Sequence, residues 1–237
     1  HGLYLEAQME EFLVALAERK PVVAVGKAVP ADRLRHHEDY EGRFDPHVWM
    51  SPRLWSAVVE AVRDALIAHD PEGADGFRRN AERHIAEIRA LDTYAASVLA
   101  GVPEARRTLI TAHDAFNYFG DAYGFEVVGI QGVSTEAEAG LRHMETLVDL
   151  IVDRGIGAVF VESSVSARNV RALVEGVSAA GGHLTIGGEL FSDAMGVPGT
   201  YKGTYVGMID HNVTTIVRAL GGAAPVRGMQ GRLGAGS

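Results

Sequence analysis

The chain has 237 residues, 47% hydrophobic and 22% charged, enough for one large domain or two modest lobes with real cores. Its formal charge of −9 argues against a nucleic-acid-binding face, and its lack of cysteine excludes disulfides, thiolate zinc sites and cysteine nucleophiles. No apolar run approaches the roughly 18–20 residues of a membrane span.

The chain opens on HGLYLEAQMEEFLVAL, without methionine or a signal-peptide pattern. It reads as a loop entering an amphipathic helix, with Leu5, Met9, Phe12, Leu13 and Leu16 at helical spacing, in a mature form or a piece of a longer protein. PVVAVG (21–26) predicts a short buried strand, and the polar stretch 27–46 predicts a loop. From Ser51 a helix is predicted, with Ser51 as cap, Pro52 in the first turn and Leu54, Val58, Val62 and Leu66 as the buried stripe.

A longer helix follows over about 74–100. Phe77, Ala81, Ile85, Ile88, Leu91, Ala95 and Val98 hold a three-to-four-residue spacing for roughly seven turns. By pattern it is equally a rigid connector between two lobes or a long surface helix of one domain. Strand and helix then alternate: strands at 107–112, 125–132, 156–164 and 183–188, and helices at 115–124, 136–155, 166–182 and 204–222. Gly124 and Gly155 are the expected helix stops. Such alternation implies an α/β fold with parallel sheet flanked by helices. The last residues, GGAAPVRGMQGRLGAGS, lack periodicity and predict a disordered tail.

Ten histidines compete for functional roles. His69 and His84 fall on polar helix faces, and His143 lies on a helix with little to single it out. His36 and His37 sit in a polar loop, solvated or at most accessory to a metal. His183 starts a strand, and His211 reads as packing or surface. Two differ. His47 follows Asp45–Pro46, so it leaves a stiffened backbone just before a helix. His113 lies directly after the strand TLITA and before the next helix, and Asp193 follows the strand HLTIGG; ligand sites collect at such carboxyl ends. Imidazole nitrogen and carboxylate oxygen suit zinc or manganese.

The motifs FDPHVWMSP, TAHDAFNYFGDAYGFEVVGIQGVST, AVFVESSVSARNVRAL and GGELFSDAMGVPGTYKGTYVGMIDHNVTTIVRAL, in this order, resemble the metal-binding solute-binding proteins of bacterial zinc and manganese ABC importers, in the TroA-like branch. The resemblance runs from HGLYLEAQM to about residue 221. It implies two α/β lobes of parallel-type sheet joined by one long helix. The lobes would be residues 1–73, an incomplete first lobe, and 103–221, with a connector at 74–102 and the tail at 222–237. It implies His47, His113 and Asp193 as metal ligands, and Zn2+ or Mn2+ as transported ligand, zinc being favoured because manganese-dedicated members often carry glutamate at the position of His113. A fourth ligand, a histidine, is expected upstream of His1, and His1 itself is not expected to replace it.

The function so implied is extracytoplasmic capture of a divalent metal and delivery to an ABC permease. The expected chain is a monomer, periplasmic or anchored at the cell surface, and not an enzyme. Asp45 is either an orienting partner of His47 or a simple turn residue. A zinc hydrolase on the same ligands is the rival reading, with Glu162 as the spare carboxylate, and a surface adhesin is a third.

Overall fold

The computed structural model describes residues 2–36, 41–135 and 139–234. The expectations for His1, His37, the helix start at 136–138 and the last three residues fall outside them. The chain divides into two units, residues 1–92 and 93–237, and one helix, α3 (Ala74–Leu99), runs through the boundary.

Unit 1 begins with a 3-10 turn, Ala7–Met9, leading into α1 (Glu10–Ala17). The apolar residues of this segment are not buried as an amphipathic helix would bury them: Phe12 is 60% exposed. The strand expected at 21–26 is not formed. Residues 21–24 carry no regular structure, and Val25–Ala28 make a 3-10 turn. A strand needs a ladder partner, and among the described residues the segment has none; the one bridge nearby is isolated, between His36 and Phe44.

α2 (Pro52–His69) starts where Ser51 and Pro52 place it, but Ser51 makes no side-chain cap bond; proline at the first position and the extended backbone of Ser51 set the start. Of its expected stripe, Val58 is buried, while Val62 and Leu66 stay 41% and 42% exposed along a groove shared with Phe77 and Ala81 of α3. Within α3 the expected stripe is buried from Ala81 through Ile85, Ile88 and Leu91 to Ala95, but Phe77 and Val98 are only partly buried and Leu99, not Val98, closes the buried set.

Unit 2 holds the sheet structure. β1 (Thr108–His113) pairs in parallel with β2 (Glu126–Gln131), and β3 (Ala158–Glu162) pairs in parallel with β4 (Thr185–Leu190); β1 and β3 also lie against each other. The connections run through α4 (Asn117–Tyr123), α5 (Leu141–Arg154) and α6 (Arg168–Ala179), and α7 (Tyr205–Ala219) packs on β4. The protein is thus α/β, with two small parallel sheets flanked by helices. Gly124 (φ +73°) and Gly155 (φ +62°) end α4 and α5 in the left-handed region that a side chain disfavours.

β1 and β3, the two most buried strands, are apolar because helices cover them. Ile110, Ile130 and Val159 pack with Leu147, Ile151, Val170, Leu173 and Val177, at no more than 1% exposure each. Truncating one of these, Leu173→Ala for example, costs about 2–5 kcal/mol by lost burial and the void left behind.

The segment expected as a disordered tail is folded back as far as residue 234. Leu233 is 1% exposed, and the Met229 N–H donates to both carboxylate oxygens of Asp210, at 3.0 and 3.1 Å. Asp210 is wholly buried in α7 and also accepts from the Tyr201 hydroxyl at 2.9 Å. Burial pushes its pKa up, and these donors work against the shift. A buried carboxylate needs such donors, and that need orders a segment whose own composition carries no periodic signal.

Candidate metal site

In unit 1, Pro46 delivers His47 to a 3-10 turn, Val48–Met50, with His47 2% exposed. One oxygen of Asp45 organises the residue twice. It accepts the His47 backbone N–H at 2.9 Å and meets the ring Nδ1 at 2.7 Å. Asp45 is itself 1% exposed, and the Trp49 ring lies edge-on to the imidazole at 5.1 Å. The first bond is a turn bond and the second orients the ring, so both readings of Asp45 hold together. With Nδ1 engaged as N–H, the lone pair of the neutral ring is on Nε2.

In unit 2, three chain segments meet at the carboxyl ends of parallel strands. His113 is the last residue of β1 and wholly buried. Glu162 is the last residue of β3, 3% exposed. Its Oε1 accepts the His113 backbone N–H at 2.8 Å, and its Oε2 lies 2.7 Å from His113 Nδ1. Asp193 follows β4, and its Oδ2 lies 3.5 Å from His113 Nε2. The two faces of this imidazole are therefore unlike: a buried glutamate on Nδ1, and a carboxylate that remains 29% exposed on Nε2.

Burial disfavours the charged form of His113, but the hydrogen bonds and charges of Asp193 and Glu162 outweigh it and raise its pKa from 6.5 to about 10. An imidazolium held between carboxylates is what such a donor set does without a cation. A divalent ion would displace the proton from Nε2 and take Asp193 as an oxygen ligand, while Glu162 continued to hold Nδ1.

The backbone leading to Asp193 is clamped. Asn212, buried in α7, accepts the Phe191 N–H at 2.9 Å and donates to the Phe191 carbonyl at 2.7 Å. Ser192 meets Ser164 hydroxyl to hydroxyl at 2.8 Å. Sequence reasoning assigned neither role. An asparagine inside an apolar helix face is the signal that was there to read, because a buried amide needs partners.

A model of the zinc-uptake complex component A family, periplasmic (ZnuA), matches residues 1–219. The chain belongs to this family. It is 47% identical over 220 residues to the manganese-binding lipoprotein MntA of Bacillus subtilis, covering 92% of this chain and 71% of that one. It is 46% identical to the zinc-binding protein TroA of Treponema pallidum, covering 93% and 71%. The solved structure of the periplasmic zinc-binding protein TroA from Treponema pallidum superposes with a TM-score of 0.89 at 45% identity, over 92% of this chain and 78% of that one.

Two relatives at nearly equal identity are named for different metals, so overall similarity within the ZnuA family does not select zinc over manganese. Four other histidines make local contacts. His36 stacks on Phe44 at 5.3 Å, and His143 Nε2 donates to the Gly129 carbonyl at 3.0 Å. His84 sits 3.4 Å from Glu87 on an exposed face of α3. His211, read as packing or surface, is 6% exposed and tied to the Glu189 carbonyl at 2.9 Å.

Proposed function

We propose that this chain captures a divalent transition metal outside the cytoplasm and delivers it, as a monomer, to the permease of an ABC importer, with His47, His113 and Asp193 as ligands to one ion. The observation that carries the reading is the His113–Asp193 pair at the strand ends, with the far side of the imidazole held by Glu162. Membership of the ZnuA family supports the transport role, and relatives named for zinc and for manganese support the class of cargo. Two nitrogens and a carboxylate oxygen suit zinc first, with manganese also admitted. The carboxylate neighbours of His47 and His113 add a common feature, since metal-binding histidines ordinarily give their second nitrogen to such a partner.

A hydrolase on the same ligands would need a general base beside a bound water. Glu162, the candidate for that role, is buried with both oxygens turned to His113. The test is titration of the metal-free chain with Zn2+ and Mn2+ against a chelator of known affinity. One ion per chain is expected, with zinc the tighter. Binding that is unchanged in His113→Ala and Asp193→Ala would sink the assignment.

A further inference from the structure

The loop that carries Asp193 runs from Phe191, just after β4, to Thr204, just before α7. From Ala194 to Thr200 it is exposed except at the half-buried Gly196, so it has little buried surface of its own to hold it in place. It is held at its two ends instead, and both ends are tied to α7. At the first, Asn212 clamps the Phe191 backbone. At the second, the Tyr201 hydroxyl donates to Asp210 Oδ2 at 2.9 Å, and the carbonyl of the next residue, Lys202, accepts the Gly196 N–H at 2.9 Å. Asp193 therefore sits between a tie two residues before it and a tie three residues after it. Gly207 makes room for the second end, because a Cβ there would overlap the Tyr201 carbonyl oxygen.

The second tie is completed by the segment 225–233. Asp210 is wholly buried, and its oxygens need donors. The Met229 N–H serves both of them, beside the Tyr201 hydroxyl on Oδ2 and the Thr214 hydroxyl 3.4 Å from Oδ1. The segment is shaped for this position. Gly228 is buried with a φ of +69°, and a Cβ there would stand 2.6 Å from Asp210 Oδ1. The Leu233 N–H donates to the Arg227 carbonyl at 3.1 Å, which closes the turn around Gly228 and Met229, and the Leu233 side chain is buried beneath it. Arg232 then sets its guanidinium 4.4 Å from the centre of the Tyr201 ring. Tyr201 is thus held by the segment twice, once through Asp210 and once directly.

We propose that residues 225–233 are a strap that positions Asp193 for the metal. Met229 and Arg232 fix Tyr201 on Asp210, Tyr201 fixes the turn closed by Gly196 and Lys202, and that turn limits where the Asp193 carboxylate can go. The proposal rests on Asp193 being a ligand. A carboxylate held in place before the ion arrives needs less ordering on binding, so the docked strap raises affinity and slows release. Tyr201, Asp210 and Met229 are positioning residues, outside the cluster of His47, His113 and Asp193.

Three full-length variants test this. Gly228→Ala undocks the strap, Tyr201→Phe removes the hydroxyl but keeps the ring, and Arg232→Gln removes the cation. In the metal-free chain, amide hydrogen exchange at Gly196, followed by NMR, should rise in the first two while exchange across β1 stays at the parent's level. Release of Zn2+ into excess chelator should quicken about tenfold in those two, the scale for residues that act on a site without touching its ligand. In Arg232→Gln it should quicken about threefold. The matching loss of affinity should all but vanish when each change is made in Asp193→Ala, because it acts through that carboxylate. Unchanged exchange at Gly196 overturns the strap, with or without metal. Zn2+ released at the parent's rate from both Gly228→Ala and Tyr201→Phe overturns its link to the site, as does a loss of affinity that persists in full in Asp193→Ala. A parent that takes up no Zn2+ overturns the ligand assignment, and the link with it.

Discussion

Glu162 holds His113 at two points: Oε1 accepts the backbone N–H at 2.8 Å, and Oε2 stands 2.7 Å from Nδ1. One side chain thus sets both where the strand end sits and which ring nitrogen faces Asp193. Glu162→Gln keeps the volume but removes the charge that favours Nδ1–H. Metal affinity should fall about 10–100-fold, the usual cost of losing such a partner, with little change in circular dichroism. Competition with a chelator measures it, and an affinity equal to the parent's would show that Glu162 does not orient the ligand.

The raised pKa of His113 has a signed consequence in the metal-free protein. Its folded value of about 10 lies above the unfolded value of 6.5, so the folded state binds more protons between them. The stability it contributes is fully present below about pH 6.5 and is lost as pH rises toward about 10. Under the ligand assignment, metal binding would have the opposite slope, because the ion would displace that proton. Calorimetry at pH 8 in buffers of different ionisation enthalpy should report about one proton released per ion from this residue. A proton count of zero at pH 8 would contradict it.

Asp193→Ala should leave the metal-free fold intact, because the side chain is 29% exposed and is not part of the apolar core. Under the ligand assignment it removes most of the thermal stabilisation by metal. For the parent that gain is about 4 kcal/mol at a thousandfold excess over Kd. Melting with and without Zn2+ for both proteins checks this; an undiminished shift in the variant would take Asp193 out of the site.

Asn212→Ala removes both bonds to the Phe191 backbone and leaves a buried N–H and C=O without partners. Each orphan costs about 1–3 kcal/mol, so a clear drop in denaturant midpoint is expected. Because Phe191 lies two residues before Asp193, metal affinity should also fall in the protein that remains folded. Hydrogen exchange at Phe191 should rise by the same free energy as the loss of the clamp.

Within unit 2 the helix stops at Gly124 and Gly155, the four strands and the placement of His113 at a strand end were legible in the sequence. Each depends on residues a few positions apart: a period of apolar side chains, a glycine that accepts positive φ, a strand followed by a helix. The stiff approach to His47 was legible for the same reason, since Pro46 and Asp45 act on their immediate neighbour. What required the folded chain are the pairings between distant positions. Glu162 lies 49 residues from His113 and Asn212 lies 21 from Phe191; the first pair forms because β1 and β3 lie side by side, the second because α7 packs on β4. The strand expected at 21–26 failed because a ladder needs a partner that a short apolar run does not specify. The tail was misread because the donor its backbone supplies to Asp210 answers a buried charge on α7, and nothing in the local composition of 222–234 records that demand.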